Sequence, residues 1–209
     1  MPIEIIDTHL HLVYLDRFSY PWLGEVPALN RDFTLETYRP QAEAAGIAQA
    51  IHMEVDVAEA DQMRETDFVT GLDDIVVAAI SSCRPERADF PVRLERLGAN
   101  PKVKGLRRIL HTSPDELSQA PLFTENLKRL AALQLSFDIC VQARQLPLAL
   151  RIARACPEVQ FILDHCGVPN VKDRAFDPWR AHIAELAREP NLACKVSGIV
   201  AYAHANWTA

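Results

Sequence analysis

Residues 3–13 read IEIIDTHLHLV, an apolar run that ends in two histidines separated by one residue. Such a run is typical of a strand that is covered on both faces. Side chains alternate between the faces of a strand, so Asp7, His9 and His11 are predicted to share one face with Ile3 and Ile5. The stretch therefore predicts a first strand that carries two imidazoles at its carboxyl end.

Six more apolar runs of strand length follow this one. The seven predicted strands are Ile3–His11, Ala48–Glu54, Ile75–Ser81, Val103–Leu110, Leu135–Gln142, Gln160–His165 and Leu192–Ser197. Successive runs begin far enough apart for a crossover through a helix, as parallel strands require. The chain is therefore predicted to be an α/β protein with a parallel sheet.

Helix boundaries can be read in three of the connections. Thr34 is expected to cap a helix over LETYRPQAEAA, residues 35–45, and Gly46 to end it. The sequence DVAE at residues 56–59 resembles a capping box with Asp56 as the N-cap residue. In FDPW at residues 176–179, Asp177 is the expected N-cap residue and Pro178 the first helical residue.

Strand number and chain length favour a barrel over a doubly wound sheet. No glycine-rich phosphate loop follows the first strand, so a dinucleotide-binding fold has little support. A (β/α)₈ TIM barrel takes about 250 residues, and this chain has 209. We therefore predict a single barrel domain over residues 1–209 with about seven βα units, C-terminally incomplete and without the eighth strand.

Composition excludes several classes of function. The net charge of -6 gives no support for binding to nucleic acid or to an anionic membrane surface. No secretion signal and no 18-residue apolar run is present in the sequence. The five cysteines are odd in number and form no CxxC motif, which is typical of reduced thiols. A cytoplasmic protein is expected.

Polar residues occur at the carboxyl end of every predicted strand, where barrel enzymes hold their active sites. Those singled out after the first strand are Glu54, Arg107, Gln142 and His165. Lys195, near the seventh strand, is expected to pair with a buried carboxylate. Cys166 adjoins His165, but adjacent strand residues point to opposite faces, so a cysteine hydrolase is not supported.

Five segments together resemble one known family. They are DTHLHLVY with YPWL, VKGLRRI, FDICVQARQLP, FILDHCGVP and KVSGI, in this order along the chain. The sequence resembles the amidohydrolase superfamily, and within it the amidohydrolase-2 group of TIM-barrel hydrolases, which includes sugar lactonases and 2-pyrone-4,6-dicarboxylate lactonase. The resemblance implies a hydrolase that opens a carbohydrate- or aromatic-derived lactone by water attack.

The resemblance also implies roles for individual residues. His9 and His11 match the HxH motif of the first strand, and His165 matches the histidine of the sixth, as catalytic residues. Arg107 matches an arginine near the substrate, and Glu54, Gln142, Tyr20 and Trp22 are further candidates for substrate contact. The family's catalytic aspartate belongs to an SDWP-like motif on the eighth strand, and the printed sequence contains no such motif. Activity of the 209-residue chain itself is therefore left open.

Metal dependence stays open at this point. The binuclear members' ligands on the fourth and fifth strands have no clear match here, so the expectation is either no cofactor or one divalent metal ion, zinc by preference, held by His9 and His11. The alternatives are a metal-dependent hydrolase or decarboxylase of the same group, and a catalytically inactive barrel that serves as a binding subunit. The expected partner is a small-molecule substrate, with no nucleic acid and no membrane, and a homo-oligomer is left open.

Overall fold

A computed structural model describes residues 4–72 and 75–208 of the chain. The chain forms two compact units, the first made of residues 1–83 and 99–106 and the second of residues 84–98 and 107–209. Strand β4, Val103–Ile109, contributes residues to both units. The prediction of a single domain over residues 1–209 stays a prediction.

The first unit contains three parallel strands, β1 (Ile5–Leu10), β2 (Ile47–Met53) and β3 (Val76–Ser82). Strand β2 pairs with both β1 and β3. Helix α1 (Leu35–Ala45) connects β1 to β2, and helix α2 (Gln62–Gly71) connects β2 to β3. The predicted β1 began at Ile3, which lies outside the described residues.

Helix α1 has the predicted boundaries, whereas the start of α2 was predicted wrongly. Thr34 is the N-cap residue of α1, and Gly46 ends the helix with a φ of 72°, a left-handed conformation that glycine adopts readily. Asp56 does not cap α2, because its own backbone is left-handed, with a φ of 48°. A 3₁₀ helix at Glu59–Asp61 intervenes, and α2 begins only at Gln62.

The second unit contains three further parallel strands, β5 (Ser136–Cys140), β6 (Phe161–Leu163) and β7 (Leu192–Cys194), with β6 pairing to both others. Its helices are α3 (Phe90–Gly98), α4 (Asp115–Gln119), α5 (Pro121–Lys128), α6 (Leu146–Ala155) and α7 (Trp179–Leu186). Helix α7 begins one residue later than predicted, since Pro178 rather than Asp177 occupies the N-cap position.

Aromatic packing forms the core of the second unit. Phe123, Phe137 and Phe161 are fully buried, and their rings meet edge to face, with centroids 6.2 Å and 6.0 Å apart along the series. Edge-to-face contacts of this kind add to the stabilisation from burial alone. This packing fixes the apolar centres of β5 and β6, and with them the positions of the residues at the carboxyl ends of the two strands.

Within the described residues, no helix is long and apolar enough to cross a membrane.

Candidate active site

His9 and His11 contact each other through their Nε2 atoms, which lie 3.1 Å apart. The two rings meet edge to face, with centroids 4.8 Å apart. Nδ1 of His11 lies 3.0 Å from the backbone carbonyl oxygen of Met53, at the end of β2. A carbonyl oxygen only accepts hydrogen bonds, so Nδ1 of His11 donates, and in the neutral form of the ring Nε2 is then the atom with the lone pair and faces His9.

The spacing of the histidine pair matches that of two nitrogen ligands of one divalent metal ion. Zn–N bonds of about 2.0–2.1 Å at angles of about 90–110° place two ligand nitrogens about 2.9–3.4 Å apart, and the two Nε2 atoms are separated by 3.1 Å. Histidines that bind metals commonly donate their other ring N–H to a carbonyl or carboxylate oxygen. The bond from His11 to Met53 has this form.

Asp7 fixes the backbone beside the pair. One of its carboxylate oxygens accepts the backbone N–H of His9 at 3.0 Å, and the other accepts the hydroxyl of Tyr38, on α1, at 2.9 Å. The register between β1 and β2 shifts between Asp7 and Leu10, so the strand is irregular where the histidines stand. Asp7 therefore ties this irregular end of β1 to helix α1.

The other candidates of the first unit form hydrogen bonds with backbone groups of the same unit. Glu54 is buried and accepts the backbone N–H of Asp56 at 2.9 Å. The hydroxyl of buried Tyr20 accepts the backbone N–H of Tyr14, while the indole N–H of half-buried Trp22 donates to the Val55 carbonyl. Their roles in substrate contact stay predictions.

Four charged side chains of the second unit, three of them buried and Lys195 half-buried, form a group hereafter called the charged cluster: Arg107, Asp138, Asp164 and Lys195. Lys195 Nζ lies 2.5 Å from Asp138 Oδ2 and 3.0 Å from Asp164 Oδ1. Arg107 Nη1 lies 3.4 Å from Asp164 Oδ2. With two cations and two anions, the cluster balances its charge inside the unit, as buried ions require.

Burial disfavours the ionised form of Asp138 in this cluster. Desolvation, followed by the charge of Asp164, raises the pKa of the Asp138 carboxyl to about 6, and the ammonium of Lys195 opposes the shift. Sequence reasoning anticipated a buried carboxylate partner for Lys195 but did not identify which one. The signal was Asp138 itself, a charged residue inside an apolar strand, which needs a partner when it is buried.

The sequence predicted His165 as the last residue of a strand, but the residue lies in a turn. Strand β6 ends at Leu163, and His165 and Cys166 both have left-handed backbones, with φ values of 51° and 55°. Because neither residue has a strand backbone, the prediction that their side chains point to opposite faces of a strand does not apply. Nδ1 of His165 lies 3.0 Å from Ser197 Oγ, and burial lowers the pKa of the imidazole, which favours its neutral form.

Gly198, in the KVSG segment, lies against His165 of the DH motif. Its φ is +69°, and a Cβ atom on this residue would lie 2.8 Å from Nδ1 of His165. The glycine thus leaves the room that the imidazole occupies beside Ser197.

We expect Gly198→Ala to destabilise the protein more than the backbone conformation alone requires. A left-handed backbone costs an alanine about 1–2 kcal/mol, and contact with the His165 ring adds to this cost. Gly46→Ala is the matched control, because Gly46 has a φ of +72° but the nearest atom to its Cβ position is 4.0 Å away. Urea unfolding measures both variants, and equal losses of stability would show that His165 does not press on position 198.

The structure groups the predicted residues within each unit. In the first unit it brings together His9 and His11; in the second it places Arg107 against Asp164, the neighbour of His165. Gln142 instead forms a capping box with Gln145 at the 3₁₀ helix Ala143–Gln145. That the eight predicted residues take part in catalysis, substrate contact or metal binding stays a prediction.

Comparisons with known proteins place the chain among hydrolases. The Amidohydrolase family model Amidohydro_2 matches residues 6–209. An L-fucono-1,5-lactonase from Burkholderia ambifaria is 26% identical over 196 residues, which span 93% of this chain and 67% of the relative.

Two solved structures show the fold. The crystal structure of an amidohydrolase from Burkholderia multivorans with bound zinc has a TM-score of 0.85 at 24% identity, covering 97% of this chain and 72% of that one. A probable 2-pyrone-4,6-dicarboxylic acid hydrolase from Acinetobacter baumannii has a TM-score of 0.73 at 16% identity, covering 98% and 74%. The predicted fold class is confirmed: the chain has the TIM-barrel fold of these structures, with seven of the eight strands of such a barrel within residues 4–72 and 75–208. The family match over residues 6–209 shows that the chain belongs to the Amidohydro_2 family of amidohydrolases.

Proposed function

We propose that this protein hydrolyses a lactone of a sugar acid by attack of water on the ring carbonyl. The observation that carries the proposal is the His9–His11 pair, whose Nε2 atoms converge to 3.1 Å in a member of the amidohydrolase family. Relatives named L-fucono-1,5-lactonase, from Burkholderia ambifaria and Burkholderia multivorans, are 26% and 29% identical to the chain. They support a carbohydrate-derived lactone as the substrate.

The chemistry of the pair suits this reaction. Hydrolysis of a cyclic ester needs positive charge or hydrogen-bond donors where the oxyanion develops, and a group that takes a proton from water. We assign one divalent metal ion, zinc by preference, to His9 and His11, because their spacing and the bond from His11 to Met53 fit such a site. A divalent ion held there would act as a Lewis acid on the carbonyl oxygen of the lactone.

Residues of the second unit have supporting roles in this proposal. His165, whose pKa is lowered by burial, is neutral at neutral pH and can accept or pass on a proton. Arg107 is only 4% exposed and is paired with Asp164, so it also holds that carboxylate in place. Arg107, Glu54, Gln142, Tyr20 and Trp22 stay predictions as substrate contacts.

A lactone panel tests the proposal. L-Fucono-1,5-lactone, related 1,5- and 1,4-sugar lactones and 2-pyrone-4,6-dicarboxylate are supplied to the purified protein, and release of acid is followed with a pH indicator. We expect hydrolysis of at least one sugar lactone well above the spontaneous rate, and none of the matched acyclic methyl esters. Absence of activity on every sugar lactone would contradict the proposed substrate class.

Metal dependence is measured on the same preparation. We expect elemental analysis to find close to one divalent ion per chain, and chelation followed by dialysis to abolish hydrolysis until zinc is restored. Activity that survives chelation, in protein without bound metal, would overturn the metal assignment and leave the lactonase proposal standing. In that case the two imidazoles would contact the substrate directly.

A further inference from the structure

Cys140 and His111 form a thiol–imidazole pair that was not among the predictions from the sequence. Cys140 is the last residue of β5, and His111 follows β4 by two residues. Nδ1 of His111 lies 3.2 Å from Sγ of Cys140. The pair lies within the second unit.

The backbone holds the two residues in register. The carbonyl oxygen of Cys140 accepts the N–H groups of both Leu110 and His111, at 3.0 Å and 3.1 Å. Cys140 is 7% exposed, whereas His111 is half-buried. The thiol is therefore largely shielded from solvent, while its imidazole partner keeps contact with solvent.

An imidazole within hydrogen-bond distance is the arrangement that activates a cysteine, because the ring takes the thiol proton as the sulfur attacks. Two other buried cysteines have different partners: Cys156 donates to the Thr124 carbonyl at 3.6 Å and Cys166 to the Lys195 carbonyl at 3.5 Å. Burial raises the pKa of the Cys156 thiol to about 11. Desolvation and the neighbouring Cys166 raise the pKa of the exposed Cys194 thiol to about 11 as well.

We propose that Cys140 and His111 form a nucleophilic site that takes small, uncharged electrophiles as covalent adducts. In the reaction a bond forms between Sγ and the electrophilic carbon, the bond from that carbon to its leaving group breaks, and the thiol proton passes to Nδ1 of His111. The site stands at the carboxyl end of β5, and barrels of this fold hold their chemistry at the carboxyl ends of the strands. The nucleophilic reaction does not require the lactonase activity proposed above.

Alkylation with iodoacetamide tests the proposal on the native protein. Brief labelling at neutral pH, followed by proteolysis and mass spectrometry of the cysteine peptides, gives a rate for each thiol. We expect Cys140 to react about tenfold faster than Cys194 although Cys194 is exposed. A faster reaction at Cys194 than at Cys140 would overturn the proposal.

His111→Asn is the matched variant. The asparagine amide occupies the position of the ring Nδ1 and keeps a hydrogen-bonding group beside Sγ, but it cannot take a proton at neutral pH. We expect the Cys140 rate to fall at least tenfold, because general-base assistance is lost. An unchanged rate would show that His111 does not activate the thiol.

Two controls accompany this variant. Cys140→Ser removes the rapidly labelled peptide and confirms its assignment. Buried Cys156 reports on folding, since it is labelled only when the protein opens. If His111→Asn exposes Cys156, His111→Gln takes its place, with the same expected loss and the same contradicting outcome.

Discussion

Lys195→Met is expected to lower the free energy of unfolding by about 3–5 kcal/mol at pH 8, the usual cost of removing one partner from a buried ion pair. Lys195 contacts both carboxylates of the charged cluster, Asp138 and Asp164, and each of these is about 1% exposed. Without the ammonium, the two buried anions face each other with Arg107 as the remaining cation of the cluster. Urea unfolding followed by circular dichroism measures the change.

The cost of this substitution should depend on pH in a definite direction. The pKa of Asp138 is raised to about 6 in the folded protein, against about 4 in an unfolded chain. Between these values the folded state binds more protons than the unfolded state, so the contribution of Asp138 to stability falls as pH rises through this window. Lys195 opposes the shift, and its removal raises the pKa of Asp138 further. At pH 5 the variant therefore protonates Asp138, and we expect a smaller penalty than at pH 8.

Lys172→Met is the matched control for both measurements. Lys172 is exposed, and the same substitution there should change stability by no more than about 0.5 kcal/mol at either pH. If Lys195→Met resembles this control at pH 8, the charged cluster does not contribute as its geometry indicates. A penalty of equal size at pH 5 and pH 8 would instead contradict the role of Asp138 as the titrating partner.

Much of the fold could be predicted because it depends on local patterns. Apolar runs of six to nine residues located the centres of the strands, and Thr34 with Gly46 predicted both ends of α1. The carboxyl ends of the strands were harder to predict, since apolar periodicity does not reveal where the backbone leaves the extended conformation. Strand β6 was extended to His165 for this reason, although the chain turns at Asp164.

The candidate site was predictable only where its residues are close in sequence. The HxH spacing sufficed to pair His9 with His11, because both stand at the end of one strand. Asp138 and Lys195 are 57 residues apart, and His111 and Cys140 are 29 apart. Their partnerships follow from strand register and turn geometry, which a single sequence does not specify.

The last prediction concerns His11 and separates the role of its Nδ1 atom from the role of its Nε2 atom. His11→Asn keeps a donor where Nδ1 contacts the Met53 carbonyl, but it removes the Nε2 atom that faces His9. We therefore expect the variant to remain folded, with a change in stability of no more than about 1 kcal/mol. Hydrolysis of the best lactone should fall by about 100- to 10,000-fold in kcat/KM, the range over which a positioned catalytic group contributes, and bound metal should fall in parallel.

His204→Asn makes the same substitution at an exposed histidine and should leave kcat/KM and metal content unchanged. Activity and metal content of the two variants then distinguish the remaining interpretations of the site by three outcomes. Loss of activity together with metal supports a metal ion held by His9 and His11. Loss of activity in a protein that binds no metal in either form assigns the imidazoles to the substrate itself. Full activity in His11→Asn would contradict any role for Nε2 of His11. It would also contradict the interpretation that the stretch IEIIDTHLHLV contributes to an active site.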